Sequence, residues 1–357
     1  MKIDLIVGAR PNFMKIAPIA QAMDTHKDKL SYRLVHTGQH YDHTLSDAFF
    51  RDLGIPTPDV NLGVGSGSQA EQTANIMVRY ERLLNQHRRP DMTLVVGDVN
   101  STLACAIVAK KRGLKLAHVE AGLRSFDWTM PEEINRVATD ALCDLFFTTL
   151  PSANENLKNM GIADDQIMFV GNPMIDTLLG HRSRFKAPDF WDVLQLQPKG
   201  FITLTLHRPA NVDDTQSLCL LLEEICKATT YPIIFPIHPR TRKNLPDAFQ
   251  CSHLHPCPPL SYLEFNYLVE NSACVVTDSG GISEETTILN VPCLTLRPNT
   301  ERPETVTMGT NELCDRDNVA ERIGLALSGQ WKKGSPPPLW DGEAGDRIVA
   351  HLLRWSK

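Results

Sequence analysis

Apolar, β-branched runs alternate along the chain with stretches whose apolar residues recur at helical spacing. IDLIV is followed by PNFMKIAPIAQAM, YRLVHT by DHTLSDAFFRDL, TLVVGD by STLACAIVAKKRG, LKLAHVE by PEEINRVATDALC, and DLFFTT by SANENLKNM. Continuous apolar strands separated by amphipathic helices predict parallel β-α units, with the sheet buried on both faces. After VGNPMIDTLL the less patterned HRSRFKAPDFWDVLQLQPKG interrupts the alternation. It restarts with FITLTLH, SLCLLLEEICKA, PIIFPI, SYLEFNYLVEN, ACVVTDS, SEETTILN and PCLTLR. The pattern therefore predicts an α/β chain of two doubly wound, Rossmann-like parallel-sheet domains with a cleft between them. The expected boundaries are residues 1–171 together with a C-terminal helix over 340–357, and residues 172–339. GSPPPLW breaks the chain before the amphipathic GEAGDRIVAHLLRW, a last helix with an apolar face for either domain.

Length and composition agree with two cores. A chain of 357 residues exceeds the ~100–200 of one ordinary domain. With 42% hydrophobic and 22% charged residues it is neither disordered nor, lacking an apolar run of ~18 or more, a spanning membrane protein. The opening MKIDLIV reads as a core strand and not as a secretory signal, which places the expected compartment in the cytoplasm. A net charge of −6 argues against a broad nucleic-acid surface and leaves room for local basic pockets. Nine cysteines without a CxxC pair read as reduced, mostly core residues. In CSHLHPC, Cys251, His253, His255 and Cys257 would share one face of an extended strand. Structural zinc ligands usually come as separated pairs, so a surface strand edge is expected there and no metal site.

In open parallel sheets ligands sit beyond the carboxyl ends of the strands, so the loops there carry the candidate chemistry. GARPNFMK (8–15) opens a helix with Pro11 near its start, and its free N–H groups with Arg10 and Lys15 suit an anion. GVGSGS (63–68) follows no strand and lacks the full GxGxxG, so it reads as a flexible surface loop and removes the case for a tightly bound nicotinamide cofactor. Asp98 in GDVNST has the position of a helix N-cap. In DSGGISEE, Ser279, Gly280 and Gly281 let backbone approach a diphosphate, and Glu285 is placed to hold ribose hydroxyls or to be an exposed helix charge. His207 and Arg208 end a core strand; the histidine reads as a phosphate contact, a proton carrier or a cap. Glu120 ends the strand LKLAHVE, where an unpaired buried carboxylate costs several kcal/mol, and Arg124 and Arg136 are the nearby partners in sequence. Glu132, Glu133 and Arg136 share the first turns of a helix begun by Pro131; Glu133 and Asp127 need be no more than dipole-complementing or solvated charges.

Taken together, GARPNFMK, HTGQHYD, GDVNST, HVEAGLRSFD, MPEEINR, GNPMIDTL, LHRPANVD, HPRTR, TDSGGISEE and TERPE resemble, in order and nearly end to end, the non-hydrolysing UDP-N-acetylglucosamine 2-epimerases. The resemblance implies the two-domain architecture shared with the GT-B glycosyltransferases, reversible interconversion of UDP-GlcNAc and UDP-ManNAc, no cofactor and no metal, and a homodimer. C2 of the sugar has no neighbouring carbonyl, so its proton is removed as UDP departs from C1; the 2-acetamidoglucal and UDP then recombine with protonation on the opposite face. Carried over by motif, Asp98, Glu120 and Glu132 are the acid/base carboxylates and His207 the histidine at the diphosphate. Arg10, Lys15, Arg136, Ser279, Gly280, Gly281 and Arg302 match substrate and phosphate positions, and Glu285 the ribose contact. Ala9 and Asn12 replace Thr and Glu of many bacterial members, and HPRTR and NLGVGSGSQ lack residues of a regulatory UDP-GlcNAc site. Gln39 and Arg208 match the remainder, so a partial site with weak or absent activation is expected. Three readings stay open beside this one: the same chemistry on a diacetamido-glucuronate or 6-deoxy UDP-sugar, a hydrolysing epimerase, and a glycosyltransferase of the same fold. A catalytically dead sugar-nucleotide sensor ranks last, because no matched position is missing.

Overall fold

The computed structural model describes residues 1–38 and 53–355. Gln39 and nearly all of the expected helix DHTLSDAFFRDL lie outside them. The chain forms two compact units, Met1–Gly180 with Pro338–Lys357, and His181–Pro337.

In the first unit the strands are β1 (Lys2–Val7), β2 (Ser31–His36), β3 (Val60–Asn61), β4 (Met92–Val96), β5 (Lys115–Val119), β6 (Leu145–Thr148) and β7 (Ile167–Phe169). They form one sheet in the order β3-β2-β1-β4-β5-β6-β7, every pair parallel. MTLVV and LFFT are buried at every residue, as central strands covered on both faces must be. The helix Gln69–Gln86 buries Ile76, Tyr80, Leu83 and Leu84, one stripe at helical spacing, and Ser68 with Glu71 closes a reciprocal capping box at its start. GVGSGS is not a flexible loop: Val64 and Gly65 donate to the carbonyls of Thr37 and Gly38 at 3.0 Å, which fixes it along the exit of β2.

The second unit repeats the design with β8 (Ile202–Thr205), β9 (Ile233–Pro236), β10 (Leu254–Cys257), β11 (Cys274–Thr277), β12 (Cys293–Leu296) and β13 (Asn311–Cys314). Their order is β10-β9-β8-β11-β12-β13, again all parallel. CSHLHPC supplies the edge strand β10. The strand order reverses between β1 and β4 in the first sheet and between β8 and β11 in the second. These are the switch points at which doubly wound sheets open a crevice.

The last helix, Ala344–Trp355, packs in the first unit, burying Ala344, Gly345, Ile348, Val349 and Leu352. It lies against the helix Arg10–Asp24 so closely that a Cβ at Gly345 would stand 2.8 Å from the Pro18 carbonyl oxygen. Asp176 holds its start by accepting the Gly345 N–H at 2.7 Å.

Candidate active site

In the first unit the loops leaving β1, β4 and β5 meet at the switch point. Asn12 accepts the N–H groups of Ala9 and Gly8 at 3.0 and 3.3 Å and donates to the Val96 carbonyl at 3.2 Å, tying the first loop to the end of β4. The asparagine that departs from many bacterial relatives thus has a structural task. Lys15, one turn into the helix, is buried and forms an ion pair with Glu120. The sequence reads Lys15 as a phosphate ligand; in the fold its ammonium is paired with Glu120. Glu120 stands just past β5 with φ of 72°, a conformation that costs an L-residue about 1–2 kcal/mol. Its N–H bonds to the Phe147 carbonyl at 3.0 Å, so the sheet holds the strained residue in place. Gly97, at φ of 68°, brings the Asp98 loop up to this pair: a Cβ there would lie 3.4 Å from both Glu120 Oε2 and Lys15 Nζ.

Asp98 is not a helix cap. The helix starts at Asn100 with Val99 before it, and the Asp98 carboxylate pairs with Arg136. Arg136, expected to bind substrate, is also bonded to Glu133 at 3.0 Å. Glu133 differs from its reading as a plain dipole charge. It is 1% exposed and accepts from Ser125 N, Ser125 Oγ and Phe126 N at 2.9, 3.0 and 3.1 Å, folding the loop back onto the helix start. Asp127 closes a local turn by accepting from Thr129 N and Oγ1. Glu132 is exposed and makes no hydrogen bond or ion pair among the described residues, which leaves it open to a ligand. Arg10 is exposed at the start of its helix.

Beneath these groups lies a buried network that sequence reading missed. Asp140 accepts from His118 Nδ1 at 2.7 Å, Arg124 at 2.6 Å and Gly122 N at 3.1 Å. His118 Nε2 faces the Gly97 carbonyl at 2.8 Å, so that nitrogen is a donor. Burial raises the Asp140 carboxyl, and the His118 and Arg124 contacts outweigh it and hold the group below its ordinary range. Arg124 is thereby committed to Asp140, and Glu120 takes Lys15 as its ion-pair partner.

The second unit supplies the other group. His207 Nδ1 lies 2.8 Å from Asp278, and the N–H groups of His207 and Arg208 also reach that carboxylate, at 3.0 and 2.9 Å for its Oδ2. Burial alone would raise Asp278; these bonds hold it below its ordinary value. The pair fixes the ring so that Nε2 is the free nitrogen. Arg208 donates through Nε to the Asp278 carbonyl at 3.0 Å. Ser279 precedes the helix Gly280–Leu289 without a side-chain capping bond, and its N–H bonds to Thr277 Oγ1 at 3.0 Å. A Cβ at Gly280 would meet Arg302 and Arg297 at 3.1 and 3.3 Å, whereas one at Gly281 would meet nothing within 4 Å. Two guanidinium groups beside open helix-start backbone are the kind of groups that cradle an anion. Arg302 is held by Glu284 and Glu301, and Arg297 by a two-bond contact to Glu301 at 2.8 and 3.0 Å. Glu285 is buried and not a surface charge; burial pushes its carboxyl up to about 7, with Tyr262 and Asn266 opposing and Glu284 adding to the shift.

Asp278 and Arg297 were legible in principle, since DSGG and TLRPNTERPE frame them. Asp140 and Glu133 were not, because their partners arrive by the folding of other segments.

Carboxylates at the switch point of one doubly wound domain, with an oriented histidine and an anion cradle at that of another, define an enzyme of the nucleotide-sugar class. The family model described as UDP-N-acetylglucosamine 2-epimerase matches residues 21–353. A UDP-N-acetylglucosamine 2-epimerase from Methanocaldococcus jannaschii is 39% identical, with all of both chains covered. A UDP-2,3-diacetamido-2,3-dideoxy-D-glucuronate 2-epimerase from Pseudomonas aeruginosa is 37% identical over 99% of this chain and 100% of the relative. The crystal structure of the M. jannaschii UDP-GlcNAc 2-epimerase in complex with UDP-GlcNAc and UDP superposes with a TM-score of 0.88 at 38% identity, covering 99% of this chain and 100% of that one. The chain belongs to the UDP-N-acetylglucosamine 2-epimerase family, and it is an isomerase.

Proposed function

We propose that this enzyme interconverts UDP-GlcNAc and UDP-ManNAc by elimination of UDP and its re-addition. In this reading Asp98, Glu120 and Glu132 of the first unit supply the acid/base groups, and the arginines and helix start of the second unit take the diphosphate. A carboxylate from among Asp98, Glu120 and Glu132 takes the C2 proton, electrons close the C1–C2 double bond, and the C1–O bond breaks to release UDP. Arg10, Arg302 and the N–H groups at Gly280 and Gly281 stabilise the leaving diphosphate, and His207 shares its charge through Nε2. Return of UDP to C1 with protonation of C2 from the opposite face gives the epimer. Each such proton transfer contributes roughly 10²–10⁴-fold. The observation that carries the reading is the convergence of Asp98 and Glu120 around Gly97, each carboxylate already matched to its own cation. Glu285 meets the ribose hydroxyls.

The test is incubation with UDP-GlcNAc in D₂O followed by proton NMR. Deuterium at C2 of both UDP-GlcNAc and UDP-ManNAc is expected; release of free sugar, or no exchange without an acceptor, overturns the reading. The P. aeruginosa relative favours a second substrate, UDP-2,3-diacetamido-2,3-dideoxy-D-glucuronate. Comparing kcat/KM for the two UDP-sugars decides between them.

A further inference from the structure

The second unit carries a group of soft ligands that the chemistry above does not use. Cys226 lies one residue from the end of the helix Thr215–Lys227, and Cys251 and His253 lead into the edge strand β10. One donor atom from each lies within 4.8 Å of the other two. All three residues are half-buried. Both cysteines are free thiols. The stretch CSHLHPC does not present its four candidates together. His255 stays outside the group, and Cys257 packs with Leu196 and Phe201. The third ligand comes instead from a segment 25 residues upstream of Cys251.

Two features of the geometry go beyond proximity. Cys251 Sγ stands 3.6–3.7 Å from the His253 ring nitrogens. In a tetrahedral site with Zn–S of ~2.3 Å and Zn–N of ~2.0–2.1 Å, the S···N edge is about 3.5–3.6 Å, so the ligands already stand at close to chelating separation. His253 Nε2 also lies 3.0 Å from the Cys226 carbonyl. A carbonyl only accepts, so Nε2 carries the hydrogen and Nδ1 keeps its lone pair. Metal-bound histidines are characteristically held in this way, the second ring nitrogen donating to a carbonyl or carboxylate.

We propose that Cys226, Cys251 and His253 bind a thiophilic divalent cation, zinc by ligand type, with a water completing the tetrahedron. The site sits at the amino end of the sheet, where Ile233 N–H bonds to the His253 carbonyl at 2.7 Å, and not among the loops at the carboxyl ends. Its role is structural: it clamps the edge strand β10 to the helix Thr215–Lys227. Burial and the neighbouring Cys251 thiol raise the Cys226 thiol, which therefore gives up its proton on binding the metal.

The reduced, chelator-stripped full chain titrated with Co²⁺ provides the test. Expected are saturation at one equivalent per chain, a sulfur-to-cobalt charge-transfer band in the near ultraviolet, and the visible d–d bands of a four-coordinate ion. Zn²⁺ displaces the cobalt and raises the melting temperature. Cys226→Ser and Cys251→Ser each lose about half of the charge-transfer intensity, His253→Ala weakens binding by at least the ~10–100-fold that loss of an outer partner costs, and Cys219→Ser changes nothing. Circular dichroism of each variant without metal shows that it is folded. Absence of the charge-transfer band in the reduced chain overturns the proposal, as does a full band in Cys226→Ser. Formation of a Cys226–Cys251 disulfide in air, without cobalt binding after reduction, overturns it equally.

Discussion

Asp140→Asn removes one charge and changes almost no volume, yet it is expected to be among the most damaging single changes in the first unit. Asp140 is fully buried and receives three donors, from His118, Arg124 and Gly122. An asparagine keeps one acceptor oxygen and turns an NH₂ group toward the remaining donors. Arg124, itself 7% exposed, is left without its carboxylate. Removing one partner of a buried ion pair costs about 3–5 kcal/mol. The loss extends to the chemistry, because His118 positions Gly97 beside Asp98, and Asp140 positions Gly122 two residues from Glu120. A displacement of about 1 Å in such a group costs on the order of 10²-fold in rate. Urea unfolding followed by circular dichroism reads the first effect. Steady-state kinetics read the second, with kcat falling and KM little changed, since the anion cradle belongs to the other unit. The pH dependence has a definite sign. Asp140 is depressed in the folded state, so its contribution is present above the ordinary carboxylate range and lost as pH falls through the folded value. The stability gap between the two proteins therefore narrows below about pH 4. A loss under about 1 kcal/mol at neutral pH, or an unchanged kcat, refutes the reasoning.

Three further outcomes are expected. Asp278→Asn keeps a side chain of the same shape but disturbs the orientation of His207, and is expected to lower kcat by roughly 10²–10⁴-fold with KM nearly constant; a change of less than a few-fold refutes the assigned role. Gly97→Ala places a methyl group against Glu120 and Lys15 at a positive φ, costing about 1–2 kcal/mol from backbone strain alone; an equal melting temperature and equal turnover contradict the close approach. Burial raises the Asp176 carboxyl to about 6, so its folded form is favoured below its unfolded pKa near 3.9 and that advantage is lost as pH rises through about 6. Asp176→Asn should flatten this slope of the stability–pH profile; an unaltered slope refutes the assignment.

Regular elements were legible wherever a run of apolar residues exceeded the length of a turn. MTLVV, KLAHV and CVVT needed only their composition to be read as buried parallel strands. The two-residue strand Val60–Asn61 and the four-residue helices Phe190–Val193 and Pro209–Val212 carry too few residues to show a period. In the site, residues that end strands were readable because loop position announces them. What failed was charge bookkeeping. Glu120 was paired in sequence with the nearest arginines, but the sheet order brings Lys15 of the first helix to it. Glu133 looked like a surface charge on a helix start until residues 125–126 folded over it. Cys226 reaches Cys251 and His253 only because α/β winding returns the chain to the sheet edge. Partner identity at long sequence separation is a property of topology, and hydropathy alone does not encode it.

The return of Pro338–Lys357 to the first unit has a consequence for biosynthesis. Its first 180 residues complete a sheet early, yet the helix Ala344–Trp355 that covers Pro18 leaves the ribosome only after all of His181–Pro337 has been made. At about 5–20 residues per second, those intervening 157 residues, counted from 181 to 337, hold the first unit open for roughly 10–30 s. During that interval the part of Arg10–Asp24 that the last helix covers, Pro18 among it, stands open, while the later-made unit is free to close as a continuous segment. In a growing chain the domain begun first is finished last.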